Sequence, residues 1–105
     1  MIANYGAVVD YGTDIDVFIC LVHIYDDAEV SIDFRRIGGW RQQIPNHDRV
    51  MTPEEELAAI GKVSIAKKRI GGSVEAEIAG FLTSVLHTSS IEVRKLRQTD
   101  LTPLF

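Results

Sequence analysis

From Asp16 to Tyr25 the chain reads Asp-Val-Phe-Ile-Cys-Leu-Val-His-Ile-Tyr. This run is too continuously apolar for a surface helix, and its β-branched and aromatic residues suit extended backbone. Alternate side chains of a strand point to opposite faces. Phe18, Cys20, Val22 and Ile24 then share one face, and Val17, Ile19, Leu21, His23 and Tyr25 share the other. Both faces are mainly apolar, which marks a central strand that must be covered on both sides. The rest of the chain has to supply that cover.

Asp26-Asp27 is a turn signal, and Glu29 to Ile37 alternates after it. Val30, Ile32 and Phe34 face one way, while Ser31, Asp33 and Arg35 face the other, so this is a half-buried antiparallel hairpin partner. Tyr5 to Tyr11 reads as a shorter edge strand ended by Gly12-Thr13. Thr52-Pro53-Glu54-Glu55 is a capping box with proline at N1. It predicts a helix with Glu54, Glu55 and Glu56 in its first turn and Lys67, Lys68 and Arg69 in its last, as the helix dipole favours. Gly71-Gly72 stops it. Ser73 caps a second helix, in which Val74, Ile78, Phe81, Leu82, Val85 and Leu86 form a core-facing stripe. Ile91 to Lys95 alternates as a last strand, and Thr99 to Phe105 reads as irregular.

The expected architecture is α+β. A mostly antiparallel sheet of about four strands, in the order β-β-β-α-α-β, carries two helices packed on one face. Two helices cover one face only. Val17, Ile19, Leu21 and Tyr25 would then form an apolar patch on the other, and patches of that kind are contact surfaces. A second copy, a partner protein or the chain's own terminal segments are the candidate covers.

The chain of 105 residues makes one domain, 1–105. A domain of this size buries about 65% of its unfolded surface, enough for a core without disulfides or metal. Cys20 is the only cysteine and lies in the apolar run, which excludes an internal disulfide framework and a cysteine-based zinc cluster. That run is far too short to span a membrane, and Met1-Ile2-Ala3-Asn4-Tyr5 lacks the basic and apolar regions of a signal peptide, so a cytoplasmic location is the expectation. The net charge is −4, with eight acids against four arginines in residues 1–52. Such a balance disfavours phosphate backbones, and hence nucleic acid, as a partner.

Gly12-Thr13-Asp14-Ile15-Asp16-Val17-Phe18-Ile19 places a D-x-D pair at the start of an apolar strand, with Asp33 on the neighbouring strand. Three such carboxylates suit a pair of Mg²⁺ ions for phosphoryl transfer. The stretch resembles the G-S-D-I-D-hydrophobic segment of minimal nucleotidyltransferases, and the resemblance implies Asp14, Asp16 and Asp33 as metal-holding residues. The serine that precedes the aspartates in that family has no counterpart in Met1–Gly6. His23, His47 and His87 show no metal-ligand spacing, and Gly38-Gly39 and Gly71-Gly72 lack a phosphate-loop context. No cofactor motif is present.

The connection from Gly38 to Met51 holds the only tryptophan, Trp40, beside Arg41, with Arg49 further on. Long irregular connections are often functional, and Trp and Arg are enriched at interface hot spots. The reading that follows is a non-catalytic protein-binding module, of the kind of a toxin-immunity or anti-defence inhibitor, that contacts its partner through Trp40, Arg41, Arg49, Val17, Ile19, Leu21 and Tyr25. One alternative is a homodimer with a small-ligand pocket at its interface. The other is a metal-dependent enzyme built on Asp14, Asp16 and Asp33.

Overall fold

The chain was examined as a computed structural model, which describes residues 1–12, 15–38, 57, 61–88 and 90–97. Five strands form one antiparallel sheet: β1 (Ile2–Asp10), β2 (Ile15–Ile24), β3 (Glu29–Gly38), β4 (Lys62–Arg69) and β5 (Ile91–Leu96). Their order across the sheet is β4-β3-β2-β1-β5. The strand that the sequence makes apolar on both sides is therefore the middle one of the sheet. A single 3₁₀ turn, Asp26–Ala28, joins β2 to β3, and one α-helix, α1 (Val74–Leu86), leads into β5. No described helix is long and apolar enough to cross a membrane.

Register assigns each side chain to a face. Tyr5 pairs with Cys20, Cys20 with Phe34, and Phe34 with Val63, so these four lie in one row. Their face is the core, with Ala3, Ala7, Val9, Phe18, Val22, Val30 and Ile32 buried beside them. α1 closes it. Ser73 caps the helix by accepting from the Ala76 amide at 3.1 Å, and Ile78, Leu82 and Leu86 are buried. Phe81 stacks on Phe34 with ring centroids 4.8 Å apart. Burying large apolar side chains of this kind stabilises by roughly 1.5–3 kcal/mol each. The helix read from Val74 to Leu86 is thus present, with the apolar stripe on its inner side.

The helix read from Thr52 to Arg69 is corrected. Residues 62–69 form β4, so the sheet has five strands rather than four, and α1 is the one α-helix whose whole span lies among the described residues. The stop lies at Gly61. Its amide donates to the Leu57 carbonyl at 2.9 Å and its φ is +72°, the arrangement of a left-handed helix C-cap. Beyond it, Val63 and Ile65 recur with a period of two, which suits a strand paired to Phe34 and Ile32. Lys67 and Lys68 consequently meet no helix dipole. Lys67 Nζ sits 3.0 Å from Glu29 Oε2, and Lys68 Nζ pairs with Glu77 of α1. Thr52 to Glu56 lie outside the described residues; Leu57 has helical backbone and is fully buried. The strand read as an edge at Tyr5 to Tyr11 is β1, an interior strand flanked by β2 and β5.

Gly61 is constrained twice. Besides its left-handed φ, a Cβ there would stand 2.6 Å from Arg36 Cβ. Replacing Gly61 by Ala is expected to cost roughly 1–3 kcal/mol, read as a lowered urea midpoint with an unchanged slope.

Candidate functional site

Two places on the sheet concentrate polar chemistry, one on each face. On the core face, Asp16 pairs with Val9 and its side chain is 1% exposed. Arg36 sits on β3 opposite Phe18, and its guanidinium lies 5.6 Å from that ring's centroid. Arg36 Nη2 is 3.7 Å from Asp16 Oδ2, and Tyr11 donates its hydroxyl to the same oxygen at 2.9 Å. Arg36 Nη2 also reaches the Leu57 carbonyl at 3.5 Å, a long hydrogen bond. Asp16 Oδ1 and Arg36 Nε and Nη1 are buried without hydrogen-bond partners. Each charge is therefore held mainly by the other. The sequence carried a signal for this pair, since alternation sets Arg36 in line with Val30, Ile32 and Phe34, and Asp16 in line with Phe18 and Cys20.

This geometry separates the carboxylates of the D-x-D reading. Asp16 lies on the core face, whereas Asp33 pairs with Leu21 on the opposite face and accepts the Ser64 hydroxyl. A sheet lies between them, so the two cannot hold one ion. Asp14 lies outside the described residues. No group of three His, Cys, Asp or Glu side chains suited to a metal occurs among the described residues.

The second place is the open face, away from α1. Cross-strand register lays out two adjacent rows there. One runs Arg94–Gly6–Ile19–Arg35–Lys62 and the next Leu96–Asn4–Leu21–Asp33–Ser64. A Cβ on Gly6 would meet Leu96 Cδ2 at 3.2 Å, so the glycine makes room for that leucine opposite Ile19. Ile19 is only 6% exposed, Val17 and Leu21 are half-buried, and Tyr25 is 42% exposed. Over the two rows lies an open groove of about 480 Å³, lined by Ile19 and Leu21 and edged by Arg35, Lys62, Asp33 and Ser64. Of the residues read as a contact patch, Ile19 and Leu21 line this groove, and Val17 lies on the same face outside its lining. Tyr25 stands apart at the end of β2, where Lys67 Nζ lies 4.4 Å from its ring centroid and His23 stacks at 6.4 Å. Trp40, Arg41 and Arg49 lie outside the described residues.

Lys62 is a site residue that the sequence reading missed, because a helical register does not place it beside Arg35. Val63 and Ile65, alternating with Lys62 and Ser64, were the available signal. No family model matches this chain, and neither does any curated protein or solved structure.

Breaking a buried ion pair strands the surviving charge, at a cost of roughly 3–5 kcal/mol. Arg36→Met is expected to show a loss of that order by denaturant unfolding, and Asp16→Leu with Arg36→Met to recover most of it. Cys20 is fully buried, and burial pushes its thiol up from 9.0 to about 12. Native protein at pH 8 should resist a thiol reagent that labels the urea-unfolded chain quickly, since the thiolate is the nucleophile. The shift also favours the folded state fully below pH 9, where both states keep the proton. That contribution should fade as pH rises toward 12, since the unfolded chain releases the proton first; the urea midpoint against pH reads it.

Proposed function

We propose that this chain is a non-catalytic protein-binding module that docks another protein on the open face of its sheet. The observation that carries the reading is the groove over Ile19 and Leu21, where apolar side chains of the middle strand are bordered by charged ones. An apolar centre with a polar rim is how interfaces are built. It is open on one side, so a partner's surface can reach it. Small size and a net charge of −4 are compatible with an inhibitor that occupies another protein's working surface, such as a toxin-immunity or anti-defence protein. Trp40 and Arg41 follow the end of β3 at Gly38, which pairs with Val17 beside the groove. With Arg49, they are proposed as further contact residues on their residue types, which are enriched at interface hot spots.

Leu21→Asp places a charge in the groove while leaving the core face untouched. It is expected to keep the far-UV circular dichroism of the parent, to lower the melting temperature somewhat because Asp33 stands directly opposite, and to weaken capture of the native partner by tenfold or more, about 1.4 kcal/mol or more. Capture that survives both Leu21→Asp and the pair Trp40→Ala and Arg41→Ala removes the reading. Light scattering separates a second copy from a foreign partner, because only self-association makes the apparent mass of the purified protein depend on its concentration.

A further inference from the structure

The groove's rim points to the chemistry of what it holds. Arg35 and Lys62 are directly opposite one another on β3 and β4, both exposed and both on the open face. Like charges so placed repel, and a sheet is stabler without them. Neither forms an ion pair with a carboxylate among the described residues. The neighbouring carboxylate, Asp33, takes its hydrogen bond from Ser64. Arg35 and Lys62 thus face a single carboxylate, Asp33, in their own and the next row, although the whole chain is acidic. A carboxylate set between Arg35 and Lys62 would turn their repulsion into two attractions.

We infer that the groove takes an extended segment of a partner protein with an acidic side chain two residues from an apolar one. This rests on the docking reading above. Strands lie about 4.8 Å apart, so the space between Arg35 and Lys62 is about 7 Å from Ile19 along the row. That is close to the separation of residues i and i+2 in an extended chain, whose side chains share a face. An apolar side chain seated over Ile19 and Leu21 thereby brings an aspartate or glutamate two residues on between the two cations. A second copy of this chain fits the face less well. Laid face to face, two copies would double the local excess of positive charge.

Fluorescence polarisation tests this with three labelled peptides, Ser-Leu-Ser-Glu-Ser-Leu and the same sequence with glutamine or lysine in place of glutamate. The glutamate peptide is expected to bind at least roughly tenfold more tightly than the other two. That preference should shrink as salt rises from low to physiological, since exposed charges are screened. Arg35→Glu with Lys62→Glu should reverse it in favour of the lysine peptide, and Leu21→Asp should abolish binding of all three. Equal binding of the three peptides, lost in Leu21→Asp, overturns the acidic preference and leaves the docking reading standing. Absence of binding by every peptide also overturns the inference, as does a dimer that Leu21→Asp dissolves. The docking reading falls separately, if partner capture survives both Leu21→Asp and the pair Trp40→Ala and Arg41→Ala.

Discussion

The middle strand has to be kept from water on both of its sides, and most of the architecture follows from that demand. β2 carries Phe18, Cys20 and Val22 toward the core and Val17, Ile19 and Leu21 toward the open face. At about 25 cal/mol per Å² of apolar surface, neither set is free to remain exposed without cost. α1, with Ile78, Leu82 and Leu86, answers for the first. For the second, the described residues supply Leu96 over Gly6 and the stems of Arg35 and Lys62, and they leave a groove. Unequal cover of one strand is what makes the two faces of the sheet different.

The buried Asp16–Arg36 pair bears on the same strand from beneath. Its long contacts and unpartnered atoms make it a weak source of stability compared with an apolar pair of equal volume. What it does impose is register. A one-residue slip of β3 against β2 would turn Arg36 to the open face and leave Asp16 alone in the core, at the cost of a buried charge. Gly61 belongs to this corner as well. Its carbonyl accepts from the Arg36 amide and its missing side chain is what lets the chain pass so close.

Charge marks both borders of the sheet. β4, one outer strand, carries Lys62, Lys67, Lys68 and Arg69, and β5, the other, carries Glu92, Arg94 and Lys95. Charged edge strands resist pairing with a further strand. Further strands are thereby kept from adding to either edge of the sheet.

Much of this was legible in the residues. The two-faced run of β2, the alternation of β3, the Ser73 cap and the apolar stripe of α1 each contain their own structural answer within a few residues, because local periodicity and capping fix them. That Val17, Ile19 and Leu21 share the face opposite the core could be read in the same way. Residues 62–69 could not. Their sequence satisfies both a helix that continues from the capping box and a strand, and the choice falls to β3, whose free edge and apolar Ile32 and Phe34 reward the extended form once Gly61 has ended the turn before it. Placing Lys62 beside Arg35, bringing Arg36 over Asp16, and setting Asp16 and Asp33 on opposite faces all depend on strand pairing between distant segments. Sequence alone determined the extended form of β2 and β3, the helical form of α1 and which side of each is oily; tertiary structure decided the form of residues 62–69 and which charges became neighbours, since cross-strand pairing is a long-range property that no local pattern encodes.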